Sequence, residues 1–164
     1  MKKLFFLLLI SFFFSGCEKD DICDTATPTT PKVVIEFYDA VATTTTKNVN
    51  NLIITATGFT SEIKYNAVNK ITVPLKTFTD IATLNFNLNA GADPTTDDNL
   101  DEITFNYTRK TNYVSRACGY KTTFTLDATN PVVVTPDASN WILNVIVSQP
   151  NIENQNETHV KIYF

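Results

Sequence analysis

Histidine and cysteine, which often serve as catalytic groups and metal ligands, are scarce in this sequence. The chain has one histidine, His159, and three cysteines, Cys17, Cys23 and Cys118. A catalytic histidine needs a nucleophile or a carboxylate partner, and the sequence contains no G-x-S-x-G, H-E-x-x-H or glycine-rich phosphate-binding motif. These cysteines and one histidine do not have the spacing of a zinc site. We therefore predict a protein that is not an enzyme and that carries no metal and no cofactor.

An acidic segment at residues 93–102, D-P-T-T-D-D-N-L-D-E, offers a different chemistry. Carboxylate and amide oxygens at this density are the ligands that Ca²⁺ prefers. The spacing does not match an EF-hand loop, and no glycine stands at the position of the sharp turn. Because the segment lies between two predicted strands, a solvated hairpin loop is the simpler interpretation.

The string R-A-C-G-Y-K at residues 116–121 is unusual in composition. We expect Gly119 to adopt a backbone conformation that other residues resist. Arg116, Tyr120 and Lys121 could form a small anion or ligand site, or they could simply surround a disulfide at Cys118.

Four aromatic residues are candidates for a carbohydrate-binding face: Tyr38, Tyr65, Trp141 and Tyr163. Aromatic residues of β-sandwiches also serve as core residues or as cross-strand pairs. The sequence leaves both interpretations open.

The N-terminus predicts export. Lys2 and Lys3 precede an apolar run over residues 4–14 that only Ser11 interrupts. That run is too short for a mature helix across a bilayer, which needs about 20 residues, but it suits the apolar region of a signal peptide. It ends in Phe14-Ser15-Gly16-Cys17, which resembles the lipobox of bacterial lipoproteins, although Leu is usual where Phe14 stands.

We therefore predict that residues 1–16 are a signal peptide and that Cys17 becomes the first residue, modified with diacylglycerol and palmitate. Two chains or more are needed for stable anchoring. The alternatives are an ordinary signal peptide with Cys17 in a disulfide, or an uncleaved membrane anchor.

If Cys17 carries lipid, Cys23 and Cys118 remain as a pair. An exported protein meets an oxidising compartment, so we expect these two to form a disulfide, with two free thiols as the alternative. The bridge would attach the N-terminal stem to the folded domain.

The rest of the chain reads as a tether followed by one domain. Residues 17–31 are polar and then rich in threonine and proline, which favours an extended, flexible segment. From residue 32 to 164 apolar and polar residues alternate in short runs, as in half-buried strands. These runs are Val33–Tyr38, Leu52–Ala56, Ile63–Tyr65, Ile71–Val73, Leu84–Leu88, Ile103–Thr108, Lys121–Leu126, Trp141–Val147 and His159–Phe164.

Eight or nine short strands without an amphipathic helix predict an all-β fold of antiparallel sheets. We expect a β-sandwich, with an immunoglobulin-like arrangement as one candidate and a closed barrel as the alternative. The formal net charge of −4 argues against nucleic acid as a partner, and removal of Lys2 and Lys3 makes the mature chain more acidic still.

Several segments resemble one family across nearly the whole chain. They are Cys17–Cys23, Thr30–Tyr38, Arg116–Lys121, Trp141-Ile142 and His159–Phe164. Together they are similar to a family of uncharacterised lipoproteins of flavobacteria and related Bacteroidota, classed as a domain of unknown function. The resemblance implies a location at the outer membrane and pairing of the two non-lipid cysteines, and it implies no activity.

Two short patterns near the lipid site are similar to signals of the same bacteria. The acidic residues Glu18, Asp20 and Asp21 resemble a signal for transport to the cell surface. Asp24-Thr25-Ala26 resembles an O-glycosylation motif with Thr25 as the acceptor. A plain hydrophilic tether is the alternative for each.

We expect a non-catalytic binding or structural module, anchored to the outer membrane by lipid and facing the periplasm or the cell surface. Its partner would be an envelope protein or a glycan. The alternatives are an accessory subunit of an envelope complex and a glycan-binding protein. An exposed apolar patch would favour a protein partner, and a cleft lined by aromatic residues would favour a glycan. Titratable groups clustered in a pocket would favour an enzyme.

Overall fold

The computed structural model describes residues 22–91 and 98–164. The predicted signal peptide, Cys17 and part of the acidic segment lie outside these ranges. The described residues form eleven strands and no helix. Accordingly, the described part of the chain contains no helix with the length and apolar character of a membrane span.

The strands follow the alternation of apolar and polar residues along the chain. They are β1 (Val33–Tyr38), β2 (Leu52–Ala56), β3 (Glu62–Tyr65), β4 (Lys70–Val73), β5 (Ile81–Leu88), β6 (Asn99–Ser115), β7 (Gly119–Leu126), β8 (Val132–Val134), β9 (Asn144–Val147), β10 (Asn151–Ile152) and β11 (Val160–Tyr163).

These strands form two packed sheets, so the predicted all-β sandwich is confirmed. One sheet has four strands in the order β4-β1-β11-β9, and the other has seven, in the order β10-β7-β6-β5-β2-β3 with β8 also paired to β6. All pairs are antiparallel except β1 with β11, the first and last strands. Eleven strands exceed the expected eight or nine because β8 and β10 are too short to show an alternating pattern.

One hydrophobic core fills the space between the sheets. Its largest fully buried side chains include Phe37 from the first sheet and Phe86, Phe105 and Phe124 from the second. Phe164 packs edge-on against Trp141, with ring centroids 5.3 Å apart.

A buried carboxylate fixes the segment before β9. Asp101, on β6, accepts hydrogen bonds from the backbone N–H of Trp141 (3.3 Å) and of Ile142 (2.9 Å). The predicted strand over 141–147 is therefore wrong at its start, because the first residues bond to this side chain and β9 begins only at Asn144. Leu143, expected to face inward, is 67% exposed.

The longest strand extends a hairpin to which the tether is attached. The first half of β6 pairs with β5 and β8, and the second half pairs with β7. A disulfide joins Cys23 in the tether to Cys118 at the turn of this hairpin, with the two Cα atoms 4.9 Å apart. Thr30 strengthens the attachment, because its Oγ1 accepts a hydrogen bond from the backbone N–H of Thr122 at 3.0 Å.

Candidate ligand-binding cleft

His159 holds two strands together and contacts no catalytic partner among the described residues. It is fully buried, and its Nδ1 accepts a hydrogen bond from the backbone N–H of Val34 at 2.9 Å. The backbone N–H of His159 donates to the carbonyl oxygen of Val34 at 3.0 Å. Burial lowers the pKa of the imidazole below its usual range, although the charge of Glu157 opposes the shift. A neutral imidazole with its proton on Nε2 fits this arrangement.

The acidic side chains of residues 98–102 contact different parts of the protein. Asp98 accepts a hydrogen bond from the backbone N–H of Gly91 (3.1 Å), Asp101 lies in the core, and Glu102 accepts one from the hydroxyl of Thr135 (3.0 Å). Over residues 22–91 and 98–164, no group of three or more His, Cys, Asp or Glu side chains could hold a metal ion. Asp93 and Asp97 lie outside those ranges.

The four aromatic candidates for a glycan face do not lie together on one surface. Trp141 is buried and donates its Nε1–H to the carbonyl oxygen of Phe86 at 3.2 Å. The hydroxyl of Tyr65 donates to the carbonyl oxygen of Thr72 at 2.6 Å. Only Tyr38 and Tyr163 meet, as a stacked pair with ring centroids 5.5 Å apart.

The string at 116–121 forms the turn of the β6–β7 hairpin. Gly119 has a φ of 69°, so the prediction of an unusual backbone conformation is confirmed. Tyr120 is 70% exposed and packs edge-on against Tyr113 across the hairpin, with ring centroids 5.4 Å apart. Cys118 is in the disulfide, so this string surrounds a bridge, as the simpler interpretation held. Thr25, the predicted glycosylation acceptor, is exposed in the tether.

One concave site is an apolar cleft that no sequence pattern indicated. It opens between the two sheets, where β2, β3 and β5 face the end of β4, and its volume is about 230 Å³. We call it the inter-sheet cleft. Its lining residues are Ile54, Ala56, Phe59, Ser61, Ile63, Val73, Pro74, Leu75, Lys76, Ala82 and Leu84.

Small side chains and two turns create the inter-sheet cleft. Ala56 on β2 and Ala82 on β5 occupy lining positions where neighbouring Ile54 and Leu84 are large, which leaves space between the sheets. After β4, Pro74 has no N–H to donate, so the ladder stops there and the chain departs.

The rim of the inter-sheet cleft carries its one aromatic and its one charged residue. Gly58, with a φ of 87°, turns the chain after β2 and is followed by Phe59, which is 55% exposed. The Nζ of Lys76 lies 5.8 Å from the centroid of the Phe59 ring. The hydroxyl of Tyr107 donates to the carbonyl oxygen of Lys76 at 2.9 Å and so fixes the backbone there.

The ammonium group of Lys76 has no ion-pair partner within the described residues. Of those residues, none places a carboxylate oxygen within 4.0 Å of its Nζ. The acid closest along the chain, Asp80, is engaged by Arg109. The inter-sheet cleft is thus an apolar recess with one positive charge at its mouth. No local sequence signal could have identified it, because Phe59 and Lys76 lie in separate connections that meet only after the sheets pair.

Comparison with known proteins gives one match. The model of a family of unknown function (DUF6452) matches residues 41–164, which include every residue that lines the inter-sheet cleft. The matched range begins after Cys17, Cys23 and β1. No curated protein and no solved structure matches the chain. Because the match covers most of its length, the chain belongs to the DUF6452 family of unknown function.

Proposed function

We propose that this protein is a non-catalytic binding module, held at the outer membrane by lipid on Cys17 and facing the periplasm or the cell surface. We propose further that it is one of the flavobacterial lipoproteins that its sequence resembles. The observation that carries the binding role is the inter-sheet cleft, a recess of about 230 Å³ with an apolar lining and a single cation at its rim.

The shape and chemistry of the cleft suit an apolar ligand. Binding sites for small molecules are concave, mostly apolar and supplied with few polar groups that fix orientation. A ligand that fills the recess would remove the exposed parts of Phe59 and Ile63 from water, whereas Ile54 and Leu84 are already buried. Such burial contributes about 25 cal/mol for each Å² of apolar surface.

The attachment of the tether supports the proposed orientation. Cys17 precedes Cys23 by six residues, and Cys23 is joined to the hairpin turn at Cys118. An extended chain spans at most 3.3–3.6 Å per residue, so this turn would lie within about 20 Å of the lipid-modified cysteine. In this proposal the hairpin end of the sandwich faces the membrane.

The binding role is tested with a fluorescent apolar probe and the full mature chain carrying Cys17→Ser, which remains free of lipid. We expect saturable binding that Ala56→Phe abolishes, since the added ring fills the recess. Ala138→Phe, at an exposed position near the start of β6, is the matched control and should leave binding unchanged. Binding that is equal in all three proteins would contradict the proposed site.

The anchor is tested separately by palmitate labelling of cells that express the full chain. We expect label in the wild-type protein and none in Cys17→Ser, with the label recovered in the outer-membrane fraction. Labelling that persists in the variant, or an unlabelled wild-type protein, would contradict lipid anchoring.

A second candidate function is that of a subunit in an envelope complex. One exposed surface favours it, on which Leu143 and Ile146 are 67% and 44% exposed. Leu143 and Ile146, with Ala40 and Tyr163, also line a shallow depression of about 420 Å³ on the four-stranded sheet. Contiguous exposed apolar surface marks protein contacts. The Ala40→Phe variant should disrupt a co-purifying partner, and it should leave the inter-sheet cleft intact.

A further inference from the structure

We propose that the inter-sheet cleft binds a single-chain carboxylate amphiphile of medium length, with its alkyl chain between the sheets and its carboxylate at Lys76. This inference deepens the proposed binding role and depends on it. It rests on three features of the cleft: its volume, the placement of its one charge, and the lack of a carboxylate beside that charge.

The volume sets the length of the chain. A water molecule takes about 30 Å³ in the liquid, and a methylene group is of similar size. The recess of about 230 Å³, which is open on one side, therefore holds at most about seven or eight carbons. Longer chains would extend past Phe59 into solvent.

The placement of the charge sets the position of the head group. Lys76 is the only charged residue among those that line the cleft. Its Nζ lies near the face of Phe59, 5.8 Å from the ring centroid, where the negative face of an aromatic ring attracts a cation. A ligand with its apolar end buried and its anionic end at the rim meets both requirements of the site.

The surroundings of Lys76 leave its charge available to a ligand. Some lysines are ion-paired, as Lys70 is with Glu36 at 3.3 Å and Lys64 with Glu62 at 2.9 Å. Within the described ranges, Lys76 has no such partner. The backbone on its C-terminal side is also fixed, because Arg109 donates from Nη1 to the carbonyl oxygen of Thr77 at 2.6 Å.

The overall charge selects a head group with one negative charge. The chain carries a formal net charge of −4, which repels polyanions. A lysine ammonium is a compact charge with three donors, which matches one carboxylate. A phosphate monoester would bring a second charge with no second cation among the lining residues.

The test compares carboxylates with alcohols of equal chain length, from six to twelve carbons, by displacement of the apolar probe from the Cys17→Ser chain. We expect affinity to rise about fourfold for each methylene, the value expected for full burial, and to level off near eight carbons. Each carboxylate should bind about fivefold more tightly than its alcohol, as expected for one ion pair near the surface.

Three lysine variants assign the preference to its residue. Lys76→Gln should abolish the advantage of carboxylates while alcohols bind as before, and Lys76→Arg should retain that advantage. Lys121→Gln, at the disulfide end of the molecule, is the matched control and should behave as the wild type. Added salt should weaken carboxylates and leave alcohols unchanged.

The outcomes separate the two proposals. Equal affinity for carboxylates and alcohols, or a carboxylate preference that survives Lys76→Gln, would overturn the ligand class and leave the cleft as an apolar binding site. Failure of both series to displace the probe would overturn the binding role itself.

Discussion

At the scale of single residues, two buried polar side chains determine local structure. Asp101 and His159 are both fully buried, and each bonds to backbone N–H groups far away in sequence. A buried polar group that loses its partner costs about 1–3 kcal/mol. Asp101 therefore stabilises the fold through the contacts it satisfies. His159 satisfies Nδ1 alone, because its Nε2 is buried without a hydrogen-bond partner among the described residues.

We predict that Asp101→Asn destabilises the protein by about 1–3 kcal/mol. The amide keeps one acceptor oxygen, but it places an N–H₂ group against the backbone N–H of Trp141 or Ile142. Burial raises the pKa of Asp101, and hydrogen bonds from these two N–H groups lower it. Burial of the charge therefore has a cost, and the neutral amide of the variant removes that cost. Urea unfolding at neutral pH measures the net effect.

The matched control is Asp127→Asn. Asp127 also accepts two backbone N–H groups, those of Thr129 and Asn130, but it is exposed. Water can replace the hydrogen bond that Asp127→Asn loses. This variant should therefore destabilise the protein less than Asp101→Asn does. An equal loss at both positions would argue against burial as the cause.

We predict that the free energy of unfolding falls as the pH drops below about 6.5, the usual pKa of histidine. Burial lowers the pKa of His159 in the folded state, so the unfolded chain takes up its proton at a higher pH than the folded one. The free energy of unfolding is therefore at its full value above the usual pKa of histidine and falls as the pH drops below it. The fall is at most about 1.4 kcal/mol per pH unit. Urea unfolding between pH 8 and pH 5 measures this slope.

His159→Asn is the informative variant, because its side-chain oxygen can accept the hydrogen bond of Val34 without titrating. The loss of stability between pH 7 and pH 5 should disappear in this variant, and any slope that remains, from the raised pKa of buried Asp101, should have the opposite sign. Carboxylates with lowered pKa values, such as Glu36 and Asp39, act only at lower pH. A slope that is unchanged in the variant would assign the effect to another group.

At the scale of elements, the alternation of apolar and polar residues predicted where the strands lie. It did not predict which strands pair with one another. Phe86 and Phe105 are buried on one face while Asn85 and Asn106 lie on the other, as the period of two requires. The pairing of β1 with β11 leaves no local signal, because the two strands are at opposite ends of the domain. The start of β9 also depends on a distant residue, Asp101, and was predicted wrongly.

We predict that the double variant Cys23→Ala, Cys118→Ala loses about 2–4 kcal/mol of stability. The bridge closes a stretch of 95 residues, and the entropy of the unfolded chain rises when it is removed. The sheets hold together without it, because the tether adds no strand to them. Urea unfolding of the variant, beside the oxidised wild type, measures the loss.

Limited proteolysis gives a second measure for the same variant. Without the bridge, the tether is held by the hydrogen bond between Thr30 and Thr122, so cleavage within residues 22–31 should become faster. Cleavage at an unchanged rate would show that other contacts hold the tether.

At the scale of the whole molecule, the inter-sheet cleft and the tether lie toward the same end of the sandwich. Val73, which lines the cleft, pairs with Val33 just after the tether. Lys76 at the rim bonds to Tyr107, where β6 leaves β5 and continues into the hairpin with β7. The disulfide end carries the tether and, in our proposal, faces the membrane. The inter-sheet cleft opens where β2, β3 and β5 meet the end of β4. Its lining comes from four strands and two connections. Sequence patterns alone could not predict how these parts come together, whereas the strands themselves were predicted.

The most direct test of the central claim is a titration of the isotopically labelled Cys17→Ser chain with octanoate, followed by amide NMR. We predict saturable shifts at the amides of Ala56, Phe59 and Lys76, with the hairpin at Tyr113 and Tyr120 unaffected. Shifts absent at the cleft, or spread evenly over the surface, would contradict a binding module built on this cleft.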